Sequence, residues 1–227
     1  MYLSNEFFGH GRRNGFRELS VCFDVYDDAS GLPVVLDALK RFDIRTTFFL
    51  NGEFIRRHPE AALEIANAGH EIASMFFAPI DLSDARFLVG DDFVSRGLAR
   101  NEDEFYQTTG KELSLLWHPP FYGVSAEIIR AAARAGYRTI GQDVDPMDWL
   151  SHEYAQRIGV EQMPAADMVE LIMEHKQSGS IIPIRLGLLP GGRRSDYLFN
   201  RINVLLDALT QASYNVVPVS TLIEHAR

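Results

Sequence analysis

Four polar residues stand where chemistry is expected: Asp24, His118, Asp145 and Arg185. Each follows a short apolar run. "SVCF" precedes Asp24, "LSLLW" precedes His118, "YRTIGQ" precedes Asp143 and Asp145, and "SIIPI" precedes Arg185. A carboxylate at a strand end can take a proton or hold a cation. An imidazole can pass a proton, and a guanidinium can stabilise an anion. The question is whether these residues meet in a working site.

The elements that must bring them together alternate along the chain. "LSVCF" at 19–23 reads as a strand, and "LPVVLDALKRF" after it places Leu32, Val35, Leu36, Leu39 and Phe42 on one helical face. "RTTFFL" at 45–50 and "HEIASMFF" read as strands, with a helix between them opened by Pro59 and stopped by Gly69. A polar helix is expected from about Asp84 to Thr109, then a strand at 113–117. Ser125 caps the next helix, and Gly136 stops it. "YRTIGQ", "SIIPI" and "NVVPV" supply three more strands, with helices opened at Pro164 and over Asp196 to Ala212. Strands with helical crossovers imply a parallel sheet, either open and doubly wound or closed as a barrel. In both, ligands bind at the carboxyl ends of the strands. The ends here are Asp24, Asn51, Met75, His118, Asp143 with Asp145, and Arg185.

Composition narrows the partners. A 227-residue chain that is 46% hydrophobic can build one large core, so the expected organisation is a lead-in at 1–18 and a single domain at 19–227. A net charge of −9 argues against nucleic acid and against an anionic membrane surface. No apolar stretch has the length of a membrane span. The lone Cys22 is expected to be a small buried hydrophobe. "GHGRRNG" at 9–15 is expected to be flexible, and "GGRR" at 191–194 to be a solvated loop.

Five stretches taken in order carry a resemblance: "CFDVYDD", "IRTTFFLNGEFIRRHPEAALEIANAGHEIASMFF", "WHPPFYG", "DPMDW" and "GSIIPIRLG". The chain resembles the polysaccharide deacetylase domain of carbohydrate esterase family 4 over nearly its whole length. The resemblance implies a distorted (β/α) barrel, often of seven parallel strands. It also implies removal of an N-acetyl group from a sugar. A divalent metal, usually zinc, is held there by an aspartate and two histidines, and a second aspartate is the base.

Position by position, the implied base is Asp24. The metal ligands fall on Val25, Met75 and Pro79, which leaves no imidazole or carboxylate for zinc. The family's arginine falls on His118 and its general-acid histidine on Arg185, while Asp145, Asp148 and Trp149 match its acid and tryptophan. No metal or other cofactor is therefore expected. Arg185 is expected to bridge Asp24 and Asp145 in place of the metal. Nothing in the spacing of Asp24, Asp27, Asp28 and His118 demands a relocated metal site.

The functional expectation is a domain without hydrolytic chemistry that serves as structure or binds a glycan, with Tyr122 and Trp149 as stacking surfaces and Trp117 in the core. The alternative is a deacetylase or related amidohydrolase working without the usual metal triad, with Asp24 as base and His118 or Arg185 as oxyanion donor. The start, "MYLSNEFFGHGRRNG", has no signal layout, so the expectation is either a cytoplasmic protein or a mature form or excised domain of a longer chain, and for the latter the family's habit of working on cell-wall material implies an extracytoplasmic home.

Overall fold

The computed structural model describes residues 5–84, 89–189 and 194–226. The strands are β1 (Phe7–Phe8), β2 (Glu18–Val25), β3 (Thr47–Leu50), β4 (Glu71–Ser74), β5 (Ser114–Trp117), β6 (Arg138–Ile140), β7 (Ile181–Leu186) and β8 (Asn215–Val216). The helices are α1 (Leu32–Arg41), α2 (Gly52–Arg57), α3 (Pro59–Asn67), α4 (Asp91–Thr109), α5 (Ala126–Arg134), α6 (His152–Ile158), α7 (Ala165–His175), α8 (Ile202–Gln211) and α9 (Val219–His225). Strands run in the order β1-β6-β5-β4-β3-β2-β7, with β8 beside β2, and every pair is parallel. This is the parallel α/β barrel-like arrangement that the alternation and the resemblance anticipate. Among the described residues no helix is long and apolar enough to cross a membrane.

The sheet curls until the segment after β6 meets β7. The N–H groups of Asp143 and Val144 both donate to the Ile181 carbonyl, at 2.9 and 3.2 Å. Arg13 fastens this seam with two hydrogen bonds to Asp143, and the Ser180 hydroxyl donates to the same carboxylate at 2.5 Å. These donors hold the Asp143 carboxyl below the usual range against the opposing effect of burial.

Several expected boundaries move. The expected lead-in at 1–18 carries secondary structure where it is described. Phe7–Phe8 forms β1 on β6, Gly11 bonds Gly179, and β2 already begins at Glu18. A two-residue strand is too short to leave a sequence period. The long polar helix begins at Asp91 rather than Asp84. The helix expected from Asp196 divides into a tight turn at Leu198–Arg201 and then α8. Pro218 ends the last strand early, because its ring removes a ladder donor and its fixed φ suits the start of α9.

Alternation along β2 divides the core. Val21, Phe23 and Val25 face outward into a cluster with Leu32, Val35 and Leu39 of α1 and Leu205 and Leu209 of α8. Cys22 faces inward into a cluster with Phe49, Met75, Leu116 and Ile140. Asp24 continues that inward row. Two asparagines then fix the strand ends beside it. Asn51 caps α2 by accepting the Glu53 N–H, and its amide donates to the carbonyls of Met75 and Phe76. Asn101 on α4 donates to Leu50 O and Ser74 Oγ at 2.9 and 2.7 Å.

α4 lies against the segment after β4 through Gly97. A Cβ there would stand 2.0 Å from the ring of Phe76, which is itself fully buried with φ 62°. Gly97→Ala is therefore expected to destabilise the protein by about 2 kcal/mol, because the core cannot yield to the added methyl. Urea unfolding followed by circular dichroism checks this.

Candidate functional site

β2 brings Asp24 to the inner rim with 3% of its surface exposed, so its carboxylate must find donors within the protein. It finds two. His118 Nδ1 donates to Oδ1 at 2.8 Å, and the Tyr122 hydroxyl donates to Oδ2 at 2.5 Å. His118 directly follows β5, where its own N–H is bonded to Ser74 O at 3.0 Å. Its ring lies 3.6 Å from that of Phe49, at an interplanar angle of 13°. The other ring nitrogen, Nε2, is buried without a partner among the described residues.

Tyr122 reaches Asp24 through an unusual turn. Phe121 and Tyr122 are consecutive aromatic residues at φ 58° and 56°, a left-handed conformation that side chains of this size rarely adopt. The Phe121 N–H donates to the Tyr26 hydroxyl at 3.2 Å, and the two rings lie 5.4 Å apart. The turn thus points one aromatic ring outward, Phe121 at 50% exposure, and brings one hydroxyl inward. Burial and the Asp24 charge push the Tyr122 hydroxyl well above its ordinary pKa, so it stays a donor.

Arg185 corrects an expectation. Its Cα is paired with that of Asp24 across β2 and β7, but its guanidinium bonds neither Asp24 nor Asp145. Nη2 donates to Asp27 Oδ1 at 2.8 Å, and the group lies 4.5 Å over the Tyr26 ring. Asp24 already has a donor on each oxygen. Asp27 is a half-buried carboxylate, and pairing it costs less desolvation. Arg185 Nε remains buried without a partner.

Asp145 faces the same end of the barrel and is held locally. It accepts from the Met147 N–H at 2.7 Å, from Gln142 Nε2 at 3.2 Å and from Trp149 Nε1 at 3.2 Å. Gln142 Oε1 is buried without a donor. Asp148 is deeper, 6% exposed, and accepts the backbone N–H of Arg185 at 2.8 Å. Burial pushes its carboxyl up to about 7, against the lowering by that N–H and the Arg185 charge.

The remaining expected positions are placed as follows. Val25 packs fully buried in the outer cluster, Met75 fully buried in the inner one, and Pro79 is half-buried. Among the described residues no three His, Cys, Asp or Glu side chains come together to hold a metal ion. Trp117 is in the core, bonded to Thr139 Oγ1. His70 is depressed to about 4 by burial and the nearby Arg45, which suits a framework role. Residues 191–193 of the "GGRR" loop lie outside the described residues, while Arg194 donates to Met163 O and Asp196 O. Sequence reasoning missed Tyr26 and Gln142. For Tyr26 the signal was present, because it continues the inward row of Cys22 and Asp24.

The family model described as "Polysaccharide deacetylase" matches residues 11–140. A peptidoglycan-N-acetylglucosamine deacetylase of Bacillus cereus is 25% identical over 214 residues, 93% of this chain and 91% of that protein. A peptidoglycan-N-acetylmuramic acid deacetylase of Bacillus subtilis is 31% identical over 133 residues, 59% of this chain and 49% of that protein. The solved structure of a Bacillus subtilis family 4 carbohydrate esterase superposes with a TM-score of 0.81 at 22% identity, covering 98% of this chain and 86% of that one. A Bacillus anthracis protein described as a pseudoenzyme of carbohydrate esterase family 4 superposes with a TM-score of 0.80 at 18% identity, covering 97% and 70%. At such identities the superpositions show the fold.

The raised Asp148 carboxyl makes a pH prediction. Its folded pKa of about 7 lies above its ordinary 3.8, so the folded state binds the proton more tightly than the unfolded one. Its contribution to stability is greatest at low pH and is lost as pH rises from about 4 through 7. Asp148→Asn keeps the acceptor for the Arg185 N–H and removes the titration. Relative to wild type, the variant is expected to gain roughly 2–4 kcal/mol between pH 5 and pH 8 in urea unfolding.

Proposed function

The chain belongs to the polysaccharide deacetylase family, and from that premise we propose that it is a member without metal-dependent hydrolysis that engages a glycan at its barrel mouth. One observation carries the reading. The retained aspartate, Asp24, already has a hydrogen bond on each carboxylate oxygen, from His118 and Tyr122. A general base must offer an oxygen to the attacking water. Here each oxygen already accepts a hydrogen bond from the chain itself, and Asp24 is 3% exposed.

The donor set supports the same reading. The family's metal is held by three side chains, and the matching positions here offer a hydrocarbon, a thioether and a proline ring. These do not fit a zinc or similar ion, which takes imidazole, thiolate or carboxylate. Val25 also packs outward among Leu50, Leu186 and Leu189, away from Asp24. We read the described part of residues 1–18 and residues 19–227 as one unit, because β1 completes the sheet.

Phe121, Trp149 and Tyr154 offer partly exposed aromatic faces for a sugar ring, with Trp149 and Tyr154 5.9 Å apart. The fold is shared with deacetylases and with a protein described as a pseudoenzyme, so the fold is compatible with either outcome.

A hydrolase reading would have to run differently from the family's. Asp24 would orient His118, and His118 Nε2 would take the proton from water. The enclosure of Nε2 counts against it.

The test is acetate release from N-acetylated glucosamine oligomers and peptidoglycan fragments, with and without added zinc or cobalt. No release above buffer is expected; sustained turnover under any of these conditions contradicts the proposal. A second prediction concerns Val25. Val25→Asp is expected to cost about 3 kcal/mol of stability, because the carboxylate enters an apolar cluster without a partner. Thermal unfolding of the variant measures this.

A further inference from the structure

The strands are all parallel, so their amino ends gather on the face of the barrel opposite Asp24. A groove of about 350 Å³ opens there beside the start of β5. It is lined by Glu102, Asp103 and Tyr106 of α4 and by Glu112, Leu113 and Leu115. Leu116 faces the lumen and Trp117 faces the helices, so alternation turns Leu115 to the outer face of β5. Helices ordinarily cover that face of a barrel strand. Leu115 is nevertheless 53% exposed, and Tyr106 beside it 59%.

The groove has a definite charge. Among the described residues that line it, three are carboxylates and none is basic. Glu102 accepts the Tyr137 hydroxyl, whereas Asp103 and Glu112 are exposed. Lys111 is turned away onto Ala66 O and Asn67 Oδ1, at 2.6 and 3.0 Å. The last turn of α4 carries no basic residue, so the negative end of the helix dipole adds to the same field. An apolar floor under that field fits a cationic segment that also carries a large apolar side chain.

The chain holds such a segment at the same end of the barrel, in the loop that enters β2. Phe16 is 68% exposed, more than any other large apolar side chain among the described residues. Exposed Arg12 and Arg17 flank it, and Arg17 lies over the Tyr214 ring at 4.7 Å. The carboxylates of Asp143 and Glu18 are already used, by Arg13 at 3.0 Å and by His225 Nδ1 at 2.7 Å. The loop does not reach the groove of its own chain. Gly11 is anchored to Gly179 and Glu18 begins β2, while β3 and β4 separate β2 from β5 by about 14 Å of sheet.

We propose that two copies of this chain pair across this face, each setting Phe16 into the other's groove with Arg12 and Arg17 beside Asp103 and Glu112. A two-fold axis makes the contact reciprocal and closes the assembly at two. The pairing covers the bare apolar floor at Tyr106 and Leu115. Both barrel mouths then face outward, and the pairing does not depend on what they bind.

Sedimentation equilibrium of the full chain over a concentration series tests this. A monomer–dimer equilibrium with a dissociation constant below about 100 μM is expected. Phe16→Ser and Leu115→Ser are each expected to weaken it at least about tenfold. Charge reversal gives the sharper test. Arg12→Glu with Arg17→Glu is expected to leave a monomer, and so is Asp103→Lys with Glu112→Lys, because like charges then face each other. All four positions are exposed, and circular dichroism checks that both variants are folded. An equimolar mixture of the two variants is expected to restore the dimer, since both contacts become complementary again. A wild-type chain still monomeric at about 1 mM overturns the proposal. So does assembly beyond two copies, a mixture that stays monomeric, or a dimer that persists in either charge variant alone.

Discussion

A carboxylate drawn inside a barrel rim has to be answered by a cation or by hydrogen-bond donors, since its burial alone is costly. The family resemblance implies a metal beside that position. Here Asp24 is answered by His118 on one oxygen and Tyr122 on the other. Much of the local architecture follows from that pairing. His118 is pressed flat on Phe49 and presents Nδ1 to Asp24. The chain after Pro119 turns through two left-handed aromatic residues to bring in the Tyr122 hydroxyl. Arg185, the strand neighbour of Asp24, turns instead to Asp27 and the face of Tyr26.

The alternation of β2 explains why the neighbouring positions behave differently. One residue faces the lumen and the next faces the helices, so Asp24 and Val25 lie in different parts of the core. Asn51 and Asn101 tie the ends of β3 and β4 to the segment that carries Met75. The rim is held by polar clamps whose loss would leave unpaired backbone groups.

The alternation of parallel strands and helices could be read from periodicity, and the resemblance carried by motif order pointed to a barrel. "LSVCF" alternates, α1 carries its apolar stripe, and the strand ends carry the polar residues. What could not be read was pairing. Arg185 stands opposite Asp24 in register, and nothing local shows that a tyrosine nearly a hundred residues from Asp24 has taken the free oxygen. The turn that delivers it has no glycine at Phe121 or Tyr122 to announce left-handed backbone. β1 is two residues long and sits in a polar stretch that looks like a flexible lead-in. Val25 was legible in principle, since strict alternation from Cys22 already turns it outward.

Asp24 is satisfied by the chain itself, through His118 and Tyr122. The most direct measurement is the nitrogen and proton NMR spectrum of the His118 ring near neutral pH, recorded before and after zinc is added. The account predicts a proton on Nδ1, slow to exchange and shifted downfield by its bond to Asp24, a bare Nε2, and no change with zinc. A proton on Nε2 instead, or loss of the Nδ1 proton as zinc binds, would contradict it.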